Sequence, residues 1–405
     1  MVKLQDILAA RERIRGAIRP TPCPASDYFT ERTGCAAVWF KMENLQHTGA
    51  FKERGALNKL LTLTDEEKAR GVIAASAGNH AQGLAYHARK LGVKATIVMP
   101  ERTPLIKVSR TRDDYGAHVV LKGANFDEAY AEAVNIQKAQ NLVFVHPFDD
   151  AQVIAGQGTI GLELLEQTPF MDMVVVPIGG GGLISGIACA LKETNPRIQV
   201  VGVQTEVLCS MKESLKAQHV VELPPGATIA DGIAVRRPGE LTYSMVHKYV
   251  DDVVTVDEEE IANAILVMLE QEKSVVEGAG AVGIAALINN HIPQANDKKT
   301  VVLLGGGNID MNVISRIIER GLVKAGRLVR LEVRLPDRPG MLAGLTSQIA
   351  EQRANIVEIH HNRAFSKAGL GEVMVEVTLE TTGRPHIQEI IGALSRQGWQ
   401  VAEET

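Results

Sequence analysis

Cysteine is scarce in this chain: Cys23, Cys35, Cys189 and Cys209 are the only four in 405 residues, far apart, with no C-x-x-C pair and no histidine at ligand spacing. That excludes a disulfide scaffold and a zinc-type centre; no metal is expected, and the four read as reduced core thiols. Basic charge is not in excess either. With 43 Lys and Arg against 48 Asp and Glu, the formal net charge is −5, so the sequence lacks the electrostatic footprint of a nucleic-acid partner. No apolar run reaches membrane length, and Met1 to Arg19 mixes charged and apolar residues as an amphipathic helix does rather than a signal segment. No membrane partner is expected, and the cytoplasm is the expected compartment. Aromatic residues amount to only 4%. These absences leave small-molecule chemistry.

Apolar residues make up 45% of the chain and glycine fills 37 positions, a balance that suits packed strands and helices joined by tight turns. The length exceeds one ordinary core, so two or three domains are expected. Helical spacing over residues 4 to 18 stops before Pro20, Pro22 and Pro24. From Ala37 onward the pattern alternates. Strands are predicted at 37–40, 71–75, 95–99, 117–121, 173–177, 200–204 and 301–304, with helices at 81–91, 104–112, 151–166, from 183, and at 257–271. This βαβ punctuation gives an α/β fold with parallel sheets flanked by helices, and ligands then belong at the strand ends. Past Ala325-Gly326 the style changes to two-residue alternation. A strand at 328–335, a helix to about 352, strands at 356–362 and 372–379, a helix at 385–397 and a last strand at 399–401 give βαββαβ, the ferredoxin-like plan.

Three predicted strand-to-helix junctions carry residues suited to chemistry. In Thr48-Gly49-Ala50-Phe51-Lys52-Glu53-Arg54-Gly55-Ala56, Lys52 stands between an aromatic ring and a helix start. A desolvated lysine loses its proton readily and can attack a carbonyl, the usual attachment of pyridoxal phosphate; the alternative is a solvated surface charge. Gly179-Gly180-Gly181-Gly182-Leu183 can aim backbone N–H groups at a phosphate where a helix dipole adds attraction. A dinucleotide turn with Glu206 as its acid is the competing reading, but the glycine spacing fits it poorly, and a plain tight turn needs fewer glycines. Ser76-Ala77-Gly78-Asn79-His80 forms a third such junction, suited to a carboxylate. Asn79 can donate to or accept from a ring hydroxyl, or merely cap the helix; His80 could be a base but is more often structural in a first helical turn. Two further stretches, Gly305 to Asn308 and the carboxylate of Glu277 among small residues, are compatible with either a ligand or plain packing.

These motifs, in this order, resemble the threonine ammonia-lyases (deaminases or dehydratases) among the fold type II pyridoxal phosphate enzymes, over residues 1 to about 320. The carriers are Lys-Met-Glu-Asn-Leu-Gln-His-Thr-Gly-Ala-Phe-Lys-Glu-Arg-Gly-Ala, Ser-Ala-Gly-Asn-His-Ala-Gln-Gly, Pro-Ile-Gly-Gly-Gly-Gly-Leu-Ile-Ser-Gly, Thr-Ile-Ala-Asp-Gly-Ile-Ala-Val and Gly-Gly-Asn-Ile-Asp. Residues 328 to 402 look like an ACT domain, with Asp337-Arg338-Pro339-Gly340 as its first turn. The resemblance implies a catalytic domain at 1–325, a small lobe of about 48–145 inserted in a large lobe of 1–47 and 146–325, and an ACT-like regulatory domain at 326–405.

It further implies pyridoxal 5'-phosphate on Lys52, with Phe51 near the ring, Asn79 on the ring hydroxyl, and Gly179, Gly180, Gly181, Gly182 and Leu183 around the phosphate. Ser76, Ala77, Gly78, Asn79 and His80, with Gly232, would hold the amino-acid substrate. The implied reaction is loss of water from L-threonine to give 2-oxobutanoate and ammonia, with L-serine a second substrate, in isoleucine synthesis or threonine breakdown. Another β-hydroxy amino acid such as 3-hydroxyaspartate, or an amino-acid sensor built on a relict enzyme, are the alternatives. Arg338, Pro339, Gly340, Met341, Leu342 and Asn355 are the implied effector site for an amino acid, and a homodimer or homotetramer is expected. Two departures stand out. Ala50 stands where relatives often have a serine before Phe-Lys, a tolerable change, and Gly305 occupies the place where they often carry a serine for the pyridine nitrogen. Gly305 favours elimination, as does Ala77, which stands where the related serine racemases carry a second acid/base serine.

Overall fold

Short runs rich in valine and isoleucine form the strands of the computed structural model, which describes residues 1–362, 369 and 371–404. Two compact units emerge, Met1–Ile309 and Asp310–Thr405. In the first, β1 (Ala25–Ser26), β2 (Ala37–Met42), β3 (Val72–Ala75), β4 (Ala95–Met99), β5 (His118–Leu121), β6 (Val143–Phe144), β7 (Met173–Pro177), β8 (Gln199–Thr205), β9 (Asp252–Val256) and β10 (Lys299–Leu304) make two sheets. The larger runs β1-β2-β10-β7-β8-β9 and is parallel apart from the β1 edge; the smaller runs β5-β4-β3-β6 and is parallel throughout. Helices cover both faces of an interior parallel strand, and every residue of β3 and β7 is accordingly buried. Unbroken apolar runs with turn signals at their ends are what such burial requires.

Local chemistry explains where the elements differ from the pattern. The first helix is Leu4–Ile14, not 4–18, because Gly16 turns the chain at φ +75. The predicted 104–112 helix is α-helical only over Leu105–Ser109 and widens to a π-turn at Arg110–Asp114. Periodicity gave no sign of the helices Asp27–Thr33, Asp65–Arg70 and Phe126–Gln140, although each is opened by a side-chain cap, from Ser26, Thr64 and Asn125.

The helices Lys52–Leu61, Ala151–Gln167 and Gly182–Thr194 approach one another backbone to backbone. A Cβ at Gly156 would lie 2.6 Å from both Arg54 O and Gly55 Cα, and one at Gly158 would lie 2.8 Å from Gly186 O. Glycine is required there by sheer proximity, and the contact ties the Lys52 helix to the Ala151–Gln167 helix.

In the second unit β11 (Leu328–Pro336), β12 (Asn355–Asn362), β13 (Glu372–Glu380) and β14 (Gln400–Glu403) form an antiparallel sheet in the order β12-β13-β11-β14. The helices Met341–Glu351 and Arg384–Arg396 pack on the face carrying Val329, Leu331, Val333, Leu335, Val373, Val375, Val377 and Leu379. This is the ferredoxin-like arrangement that the alternation predicts, and the Met311–Lys324 helix groups with it. All four cysteines are free thiols, with Cys35 and Cys189 buried and Cys23 and Cys209 half-buried. Among the described residues no helix is long and apolar enough to cross a membrane.

Candidate active site

Lys52 is the first residue of its helix, and its Nζ donates to Pro147 O at 2.8 Å while lying 5.3 Å from the Phe51 ring centroid. Burial lowers its pKa to about 8, against the opposing pull of the Glu277 carboxylate. An amine so placed is partly neutral at ordinary pH. The loop that delivers it is fastened to the end of β10: Phe51 N donates to Gly305 O at 3.0 Å, Gly307 N to Gly49 O at 2.9 Å, and Ala50 bridges Gly306. A Cβ at Gly305 would sit 3.5 Å from Phe51 Cδ1, an ordinary contact. Space therefore does not dictate glycine at this position, and no hydroxyl is offered there.

Behind Lys52 lies a charge cluster that the sequence reading passed over. The buried Arg54 guanidinium bonds both oxygens of buried Glu43 at 2.8 Å and both of Glu163 at 2.6 and 2.9 Å, while buried Lys41 reaches Glu163 at 2.5 Å. Burial alone would raise the Glu43 carboxyl, yet Arg54 and Lys41 hold it below its usual value; burial likewise works against the Arg54 cation, and the two carboxylates still push its pKa up. On the helix's other side, buried Glu53 accepts from Thr48 N at 3.1 Å and contacts His87 Nε2 at 3.1 Å. Glu-Arg after the lysine was the available signal. Arg54→Ala would leave the buried Glu43 carboxylate and the partly buried Glu163 carboxylate short of a cation, and the expected loss is about 3–5 kcal/mol in denaturant unfolding; an unchanged midpoint and slope would contradict it.

The Ser76-to-His80 loop leads from β3 into the helix Asn79–Lys90, whose N-cap, Gly78, supplies no side-chain cap. Ser76 Oγ accepts from Gly78 N at 3.2 Å, and a Cβ at Gly78 would meet nothing within 4 Å, so the loop borders open space. Ala77 packs partly against the small-lobe core. Asn79 does not cap its own helix. Its Nδ2 donates to Glu277 Oε1 at 2.7 Å and its Oδ1 accepts from Asn308 Nδ2 at 2.8 Å. Gly232, in the turn Asp231–Ile233, backs onto Glu277: a Cβ there would be 3.0 Å from its Oε1. His80 is buried, donates through Nε2 to Val145 O at 2.9 Å, and burial, with Lys52 nearby, lowers its pKa to about 3. It stays neutral, which removes it as a cation but leaves its buried Nδ1 lone pair without a partner in the described residues.

Gly179 to Gly182 join β7 to the buried helix Gly182–Thr194. Gly181 adopts φ +97, and no side chain caps the helix. Packing also asks for glycine here. A Cβ at Gly180 would overlap the Phe148 ring, and one at Gly182 would lie 2.7 Å from Phe148 O. Phe148 thus explains glycine at Gly180 and Gly182. What remains to meet an anion is the set of uncapped N–H groups at a buried helix start, beside half-exposed Gly179 and buried Leu183.

Those orphan donors, the second uncapped helix start at Asn79 and a depressed-pKa lysine fit a ligand with a phosphate, a carboxylate and a carbonyl. Residues 14–306 match the family described as pyridoxal-phosphate dependent enzyme. The chain belongs to that family. Pyridoxal phosphate is the cofactor of this fold type II enzyme, and residues 329–396 match the ACT domain. An L-threonine ammonia-lyase of Thermotoga maritima is 50% identical over 99% of both chains. Among solved structures, maize serine racemase superposes with TM-score 0.75 at 34% identity, covering 80% of this chain and 98% of that one. The processed form of threonine deaminase isoform 2 from Solanum lycopersicum gives 0.74 at 37%, covering 78% and 91%.

In the ACT domain, Arg338 N donates to Pro336 O at 2.9 Å, and Gly340, at φ +90, starts the Met341–Glu351 helix without a side-chain cap. Met341 packs against the domain's core, Leu342 is exposed, and Asn355 Nδ2 donates to Glu380 Oε2 at 2.8 Å. Pro339 lies in the same exposed turn.

Proposed function

We propose that this enzyme is an L-threonine ammonia-lyase, converting L-threonine to 2-oxobutanoate and ammonia and accepting L-serine as a second substrate. The observation that carries the reading is Lys52, an amine kept partly neutral beside an aromatic ring, in a fold that also offers two helix starts without side-chain caps. The full-length likeness to an L-threonine ammonia-lyase supports the choice of substrate. Pyridoxal phosphate, when bound, supplies a carbonyl that captures the amino group and a conjugated ring that draws electrons from the α-carbon.

The chain's residues do the rest. Gly179 to Leu183 would hold the phosphate at the helix start, Phe51 would lie beside the ring, and Asn79 would meet the ring hydroxyl. Gly305 would offer the ring nitrogen no hydroxyl. Ser76 to His80, with Gly232 across from them, receive the substrate carboxylate at the second helix start. The neutral Lys52 amine takes the α-proton, the β-hydroxyl departs as water, and hydrolysis returns that water while releasing ammonia, so threonine gives 2-oxobutanoate plus ammonia in balance. Ala77, in place of a second acid/base on the opposite face, favours elimination over racemisation. Keto-acid formation from threonine by a purified protein with visible cofactor absorbance tests the reading. A colourless protein that yields no keto acid overturns it, and a substrate panel in which 3-hydroxyaspartate far exceeds threonine would move the assignment.

The ACT domain is read as the seat of an amino-acid effector at Arg338 to Leu342 and Asn355, on a chain that works as a homodimer or homotetramer. An effector acts only if it binds one state better than another. Isoleucine or valine is expected to change the threonine saturation curve of the full chain, and a chain ending at Lys324 to stay active and lose the response. Identical curves for both chains, with and without either amino acid, would make the domain an assembly module.

A further inference from the structure

Glu277 is buried at the head of the Gly278–Ile288 helix and spends its two carboxylate oxygens on different loops. Oε1 accepts from Asn79 Nδ2 at 2.7 Å, and Oε2 accepts from Asn308 N at 3.2 Å. Asn308 in turn donates through Nδ2 to Thr48 O at 2.7 Å and to Asn79 Oδ1 at 2.8 Å, and its Oδ1 accepts from Arg110 at 3.2 Å. The result is a hydrogen-bond chain with one direction, Arg110 to Asn308 to Asn79 to Glu277. A guanidinium can only donate, a carbonyl and an ionised carboxylate can only accept, and these fixed ends dictate the middle. Turning the Asn79 amide over would face donor to donor at Asn308 and acceptor to acceptor at Glu277.

We propose that Glu277 is a positioning residue that fixes which atoms of the Asn79 amide face the cofactor, by accepting at both carboxylate oxygens. This rests on the reading of Asn79 as partner of the ring hydroxyl. One N–H of Nδ2 stays unspent in the locked orientation, so Asn79 meets the ring oxygen as a donor and favours its anionic form. The groups facing Glu277 are consistent with a poised acceptor. Burial, then Asp231, raise its pKa to about 7, while Asn79, Asn308 and Lys107 pull it down; Lys107 pairs with Asp231 at 2.6 Å, and Lys52 lies within electrostatic reach. Protonation would remove one acceptor from the chain.

Glutamine offers one acceptor oxygen and one NH2, so E277Q must set a donor against either Asn79 Nδ2 or Asn308 N. The test uses full-length wild type, E277Q, N79A and the double variant, each titrated as apoprotein with pyridoxal phosphate and then followed by cofactor absorbance against pH. E277Q is expected to weaken cofactor binding about tenfold and to move the spectral midpoint towards that of N79A. The double variant should be no worse than N79A alone, because Glu277 acts through Asn79. E277D keeps both acceptor oxygens and should stay nearer the wild-type midpoint than E277Q does; with N79A/E277D it supplies the same cycle should E277Q not fold. An E277Q midpoint equal to wild type, full additivity in the double variant, or the reverse order of Asp and Gln overturns the proposal. A wild type lacking cofactor absorbance and keto-acid formation defeats the functional reading instead.

Discussion

Lys52→Ala is expected to bind pyridoxal phosphate without the visible absorbance of a lysine-bound cofactor and to lose threonine turnover by roughly 10⁴-fold. Two proposed roles disappear together, covalent attachment and removal of the α-proton, while the proposed phosphate site at Gly179 to Leu183 is untouched, so affinity should fall far less than rate. The pH behaviour of the wild type follows from the same residue. The neutral amine is the reactive form and burial lowers its pKa to about 8, so cofactor uptake by apoprotein should quicken as pH rises through about 8 and level off above it. The stability sign is separate. A lysine whose folded pKa is depressed makes the apoprotein gain stability as pH rises from 8 towards 10.5, because the unfolded chain binds the extra proton in that window. Stopped-flow absorbance checks the first, and an uptake midpoint near the ordinary lysine value would mean that Lys52 is solvated in solution. Retained turnover in Lys52→Ala would remove it from the chemistry altogether.

Gly180→Asp is the second large expected effect, and two causes have to be told apart. A Cβ at Gly180 would overlap the Phe148 ring, and the Gly180 carbonyl accepts from Thr242 Oγ1 at 2.6 Å, so any side chain disturbs a packed turn. Overpacking of this kind costs about 1–3 kcal/mol in stability. Aspartate adds a negative charge at the helix start proposed to hold the phosphate, for which cofactor affinity should fall by about thirtyfold, ~2 kcal/mol. Gly180→Ala shares the overlap and lacks the charge. Melting temperature should therefore drop in both variants and cofactor affinity drop further in the aspartate one. Equal affinities for the two would mean that Gly180 serves the packing on Phe148 alone.

The parallel sheets and the antiparallel tail were legible because strands buried on both faces must be apolar throughout, as in β7, and half-buried ones must alternate, as in β11. The three loops stood out as candidates because glycine, asparagine and lysine there suit a ligand, but each residue type also has an ordinary capping, turn or surface use, so local sequence alone could not choose between them. The helices Asp65–Arg70 and Phe126–Gln140 were not, since the first buries no residue and the second buries only Ala129 and Ala133, too little to impose a period.

Sequence by itself determined the α/β class and the change of architecture after Ala325, and it singled out Lys52 as the candidate amine, because each depends on residues close together in the chain. Tertiary structure alone decided what surrounds that amine. Arg54 meets Glu163 across 109 positions, Asn79 meets Glu277 across 198, and Asn308 meets Asn79 across 229. Local periodicity carries no record of such partners. Whether Glu277 lies in plain packing or at the end of a directed hydrogen-bond chain depends on which distant donors the fold brings to its two oxygens, and a buried carboxylate's charge state is set by those donors rather than by its neighbours in sequence.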